Sequence, residues 1–152
     1  MVHFSHPSSD EPLLAELLAQ GVVTQSLWNS LAMPDEGNLV DVLIEHGEKF
    51  DDEKWAYWLV KQHGCFRMPA LEPDPDFYGS LLWPARIESH VRLFGCFPCK
   101  LRDGIACLAC VRPDLGAAME EILTWLGARR RYLFALTPKE LKFWIRMKRP
   151  AL

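Results

Sequence analysis

Four of the five cysteines fall into two Cys-x2-Cys pairs, Cys96 with Cys99 and Cys107 with Cys110. Two such pairs are the usual knuckles of a zinc site, in which four thiolates converge tetrahedrally. The residues between them argue against convergence. Arg102-Asp103-Gly104 separates two apolar runs, a strong hairpin signal. A register with Cys96 opposite Cys110 also sets Cys99 opposite Cys107, and residues three apart on a strand point to opposite faces. The two pairs then lie on opposite sides of the sheet. The glycines that normally follow the second cysteine of a knuckle are also missing, so the reading is of buried apolar thiols. Cys96-Phe97-Pro98-Cys99 also has the form of a dithiol redox motif. That chemistry needs its first thiol at a helix N-terminus, where the dipole favours thiolate, and here the motif leads into a strand.

His63-Gly64-Cys65 brings an imidazole near a thiol, but no acid or amide stands beside them to orient the base. The chain contains no phosphate loop, no G-x-G-x-x-G and no H-E-x-x-H. His3 and His6 could in principle bind a metal together, but two histidines on a loose polar end read as no site. The expectation is a protein that is not an enzyme and has no cofactor. Arg129-Arg130-Arg131, followed by a final basic segment with Lys139, Lys142 and Arg146, is the best footprint for a polyanion or a protein partner. The aromatics of that region, Tyr132, Phe134, Phe143 and Trp144, read as core and not as a stacking platform, and nucleic acid is accordingly the less favoured partner.

The elements that would position these groups begin with a repeat. Leu13-Leu14-Ala15-Glu16-Leu17-Leu18-Ala19-Gln20-Gly21 and Leu39-Val40-Asp41-Val42-Leu43-Ile44-Glu45-His46-Gly47 are short amphipathic runs, each closed by glycine. Leu13, Leu17 and Leu18 share one helical face, as do Leu39, Leu43 and Ile44. Gly21 and Gly47 fit the left-handed position that ends a helix. In each copy a hydrophobic residue follows (Val23, Phe50), then a capping side chain (Thr24, Asp51) and a tryptophan (Trp28, Trp55). Trp55, Trp58 and Leu59 form a stripe at helical spacing, which reads as core packing.

The fold class expected is α+β, an N-terminal helical repeat followed by a small α-β-β-α-β-α subdomain with an antiparallel hairpin. Residues 1–10 are expected to be a flexible arm, 11–66 the helical subdomain, 67–76 a linker with three prolines, and 77–152 the α+β subdomain. In that last part Pro84 to Phe94 can form a helix. Pro113-Asp114 would cap the next helix, whose buried stripe is Leu115, Met119, Ile122, Leu123 and Leu126 and whose stop is Gly127. Tyr132 to Leu136 reads as a strand, and Thr137-Pro138-Lys139-Glu140 as a capping box that opens the final helix.

Bulk numbers agree with a globular protein: 152 residues, 49% hydrophobic and 24% charged. No apolar run suffices to cross a bilayer and the N-terminus lacks a signal pattern, so no membrane insertion and a cytoplasmic location are expected. An odd number of cysteines without an export signal indicates reduced thiols. The net charge of −3 hides an asymmetry, since residues 1–76 carry 4 basic against 14 acidic side chains and residues 77–152 carry 13 against 6.

From about Glu11 to Met147 the order and spacing of these features resemble the N-terminal regulatory domain of bacterial type II secretion and type IV pilus assembly ATPases. That family's helical part carries R-L-G-x-x-L, a glycine, a hydrophobic residue, a polar cap and a helix ending A-L-x-x-Q. Its second part matches Cys96-Phe97-Pro98-Cys99, Asp103-Gly104, Arg112-Pro113-Asp114 and Thr137-Pro138-Lys139-Glu140. The resemblance implies a domain that regulates or adapts by protein contacts, with a secretion or pilus ATPase or an inner-membrane platform component as partner. In some members the arginine and glycine of R-L-G bind cyclic di-GMP. Here those positions read Pro12-Leu13-Leu14 and Asn38-Leu39-Val40, without either arginine or glycine. Leu13, Leu17, Gly21, Leu39, Leu43 and Gly47 remain, and Gln62 matches the closing glutamine of the second copy, where the first has Asp35. A sensor with altered contacts would use Asn38, Leu39, Leu43 and Gln62.

Overall fold

The computed structural model describes residues 10–31, 39–67, 95–114 and 116–148. The linker beyond Arg67, the helix expected from Pro84 to Phe94 and most of the N-terminal arm lie outside them. The described chain is α+β and divides into two compact units, residues 1–58 with 136–152, and residues 59–135.

The first unit is helical. It contains α1 (Asp10–Ala19), α2 (Gln25–Ser30), α3 (Leu39–Glu45), a 3-10 turn (Gly47–Lys49), most of α4 (Asp52–His63) and α6 (Pro138–Lys148). α1 ends as expected: the Val22 N–H reaches the Leu17 carbonyl, the Gly21 N–H reaches Leu18, and Gly21 takes φ +73°. α2 opens on Thr24, whose hydroxyl accepts from the Leu27 N–H at 3.1 Å, and α4 on Asp51, whose Oδ1 accepts from the Lys54 N–H at 3.0 Å. Both expected caps are therefore present. Leu13, Leu17, Leu39 and Leu43 are buried, each burial contributing about 1.5–3 kcal/mol. Phe50 and Trp55 meet edge to face at 5.6 Å, and Trp55 and Trp58 at 5.7 Å, so the aromatic stripe is core.

Gly47 departs from expectation. It has no left-handed φ; it begins the 3-10 turn, and its lack of a side chain serves a close approach instead. A Cβ there would lie 2.8 Å from the Pro138 carbonyl oxygen and 3.2 Å from the Lys139 Cα. The start of α6 thus packs directly on the corner made by the second copy of the repeat. The capping box closes as the sequence indicates: the Thr137 N–H donates to Glu140 Oε1 at 2.9 Å and the Glu140 N–H to Thr137 Oγ1 at 3.3 Å. Further along α6, the Lys142 ammonium donates to Glu48 Oε2 at 2.7 Å and to the Glu45 carbonyl at 3.2 Å. Sequence order groups the final helix with the sheet, whereas packing groups it with the N-terminal helices.

The second unit is built on a sheet of order β1-β2-β3, with β1 (Cys96–Arg102), β2 (Ile105–Cys110), α5 (Gly116–Leu126) and β3 (Arg130–Ala135). β1 and β2 are the expected antiparallel hairpin; Asp103 and Gly104 both take positive φ (54° and 77°), as a two-residue turn of this hand requires. β3 runs parallel to β2, joined through α5. Phe66 adds a single parallel bridge to the outer edge of β3. Its N–H donates to the Leu133 carbonyl (2.8 Å), and the Ala135 N–H donates to the Phe66 carbonyl (2.7 Å). Met119, Ile122 and Leu123 of α5 are buried, and Gly127 at φ +67° ends that helix as expected. The Asp114 carboxylate accepts from the wholly buried Arg112 guanidinium at 3.1 and 3.0 Å; residue 115, between it and the described start of α5, lies outside the described residues, and with it the expected cap.

Candidate functional site

The sheet register decides where each chemically capable side chain goes. Cys96 pairs with Cys110 as expected, but a bulge between Pro98 and Lys100 shifts the pairing beyond it. Lys100, not Cys99, is opposite Cys107. This corrects the expected pairing of Cys99 with Cys107. Cys99 is the additional residue of the bulge and is itself buried, with its thiol 3.1 Å from the Cys107 carbonyl. All five cysteines are thiols outside any disulfide. No group of three or more histidine, cysteine or acidic side chains among the described residues is arranged to hold a metal ion.

Cys65 arrives from the end of α4 and meets Cys110. A hydrogen bond with Cys110 holds the Cys65 thiol below its ordinary value, against the upward push of burial. The same bond and burial push Cys110 well above its own. The opposite directions of the two shifts make Cys110 the donor and Cys65 the acceptor. Burial, reinforced by the neighbouring Cys99, raises Cys96 to about 12, although Arg131 draws it down. Thiols held protonated in this way are poor nucleophiles.

The basic residues expected to form one surface are divided by the pleat. Arg130 and Arg131 begin β3 and therefore face opposite sides of the sheet. Arg131 is paired with Glu120 of α5 at 2.6 Å, which places α5 on the face that also carries Ala106, Leu108 and Cys110. Arg129 lies over the hairpin turn, its Nε 3.2 Å from where a Cβ on Gly104 would be, and its N–H donates to the Gly104 carbonyl. Arg130 is exposed and, among the described residues, meets no carboxylate. In the helical unit Lys142 is engaged by Glu48. Arg146 lies in α6, with its side chain outside the described part.

Of the four positions named for a nucleotide, Leu39 and Leu43 have no accessible surface, Gln62 is exposed on α4, and Asn38 lies outside the described residues. Val40, which stands where the family pattern has its second glycine, is wholly buried, and Leu14, at the first, is half-buried.

The sheet face away from α5 carries a group that the sequence pattern assigns to the core. Arg130, Tyr132 and Phe134 lie there on β3, beside Ile105, Cys107 and Ala109 of β2. Tyr132 is 46% exposed and Phe66, added at the edge, 54%. Phe66 meets Tyr132 edge to face at 5.7 Å and Phe134 at 5.7 Å. Tyr132 is therefore not core, and neither is Phe143, 60% exposed on α6. Local sequence does not single Tyr132 out: Arg130 and Arg131 stand on opposite faces of β3, so an arginine two residues away does not mark the exposed side.

No family model matches this sequence, and no curated protein matches it. Among solved structures, the N-terminal domain of XpsE is similar, with 15% identity, 93% of this chain and 97% of that chain covered, and a TM-score of 0.47. Among the described residues no helix is long and apolar enough to cross a membrane.

Proposed function

We propose that this protein is a non-catalytic adaptor or regulatory module of a type II secretion or type IV pilus-like machine, acting through protein contacts. The observation that carries the reading is the fate of the family pattern in the first unit. Leu13, Leu17, Leu39 and Leu43, which the chain shares with that pattern, all enter the core. The positions that would grip a ligand have changed character: Pro12 and Asn38 stand where the pattern has guanidinium groups, and Val40, wholly buried, carries a side chain where the pattern has glycine. What survives is the pair of helical corners, which supports a scaffold for a partner. Titration of the purified chain against the motor ATPase and against the cytoplasmic part of the platform protein tests it. Saturable binding to one of them is expected, with no heat on calorimetric titration with cyclic di-GMP. Binding to neither protein, with or without uptake of cyclic di-GMP, overturns the reading.

A further inference from the structure

We infer that the exposed patch at the β3 edge of the sheet, made by Phe66, Tyr132, Phe134 and Arg130, is a docking surface for an acidic, apolar segment of a protein partner. The inference deepens the adaptor reading and rests on it. Two half-exposed rings that touch edge to face are held by each other, so presenting them to a partner costs little side-chain entropy. Phe134, partly covered, meets Phe66 from the same strand face. Aromatic rings with an arginine beside them are the composition that dominates binding energy at protein interfaces.

Charge decides the occupant. Arg130 shares this face, while Arg131, the arginine already neutralised by Glu120, is turned to the other side. The pleat has separated the two, leaving the positive charge of Arg130 beside the rings. A segment with apolar side chains for the rings and a carboxylate for Arg130 is complementary in both respects. A single-stranded nucleic acid also offers flat rings and negative charge, but Phe66 and Tyr132 lie at 78° to each other, so they do not form one continuous platform for successive bases.

The test uses the full chain, isotope-labelled, and records amide shifts while a short synthetic peptide alternating glutamate with leucine and phenylalanine is added. Saturable shifts confined to Phe66, Arg130, Tyr132 and their neighbours are expected. Arg130→Glu, an exposed change that leaves the rings intact, and Tyr132→Ala should each weaken binding about tenfold. Equal response to the same peptide with lysine in place of glutamate, or shifts elsewhere only, overturns the surface; stronger binding of a short polyuridine strand overturns it in favour of nucleic acid. The Arg130→Glu chain is then titrated with the ATPase and platform proteins. Unchanged binding there overturns this surface and leaves the adaptor reading standing. Failure of the unmodified chain to bind either protein removes both.

Discussion

Gly47 approaches the backbone of Pro138 so closely that an added Cβ would sit 2.8 Å from the proline carbonyl oxygen, with rigid main chain as the obstacle. Gly21, the corresponding glycine of the first copy, faces open space but holds φ +73°. The two glycines of one repeat are thus needed for different reasons. Gly47→Ala must push α6 away from the corner and should cost about 2–3 kcal/mol, as overpacking does. Gly21→Ala meets no atom and should cost only the left-handed strain, about 1–2 kcal/mol. Urea denaturation of both variants checks the order; a larger loss at Gly21 would contradict it.

The capping box joins Thr137, wholly buried, to Glu140 by two reciprocal hydrogen bonds. Thr137→Ala leaves the Glu140 N–H without that acceptor and should lower stability by about 1–2 kcal/mol, whereas Thr24→Ala, at an exposed cap of a six-residue helix, should cost about 0.5–1 kcal/mol. Thermal melts of the two variants should separate accordingly. Equal melting temperatures would mean that the start of α6 is held by Gly47 packing alone.

Arg112 is fully buried and its guanidinium binds both oxygens of Asp114, which is a quarter exposed. Removing the acid leaves a buried cation with less compensation, so Asp114→Ala should cost about 3 kcal/mol. Arg112→Met combined with Asp114→Leu removes both charges and should recover most of that loss. A double variant no more stable than Asp114→Ala would show that Arg112 contributes chiefly through its remaining contacts.

Local features of this chain were legible because local sequence determines them. The caps at Thr24, Asp51 and Thr137 act within one helical turn, and the Asp103-Gly104 hairpin depends on the φ values of two adjacent residues. The features that were missed depend on distant partners. Nothing near Gly47 announces Pro138, so its glycine reads as a helix stop like Gly21. Nothing in Cys-Phe-Pro-Cys announces the bulge that moves Cys99 out of register with Cys107. Tyr132 reads as core because aromatic residues in strands usually are; its exposure results from which face α5 covers. The basic triplet looks continuous in sequence and is split by the pleat. The candidate surface therefore needed the sheet register before it could be drawn.

Cys96 supplies a test of the buried thiols through pH. Its ordinary value is 9.0 and burial raises it to about 12 in the folded protein. Between those values the unfolded chain has released the proton while the folded one retains it, so the unfolded state binds fewer protons and stability falls as pH rises, by about 1.4 kcal/mol per unit for this thiol. Below the unfolded value both states are protonated and its contribution is constant. Cys110, raised by its hydrogen bond with Cys65 and by burial, adds a loss of the same sign, whereas Cys65, lowered by that hydrogen bond, adds stability as pH rises towards 9. The Cys96→Ala variant lacks one of the two falling contributions, so its stability should decline less steeply than that of the unmodified chain above about pH 9. Parallel denaturation curves collected on either side of that pH measure the difference. Equal slopes would show that the Cys96 thiol ionises at its ordinary value, and hence that water reaches the sheet face beneath α5.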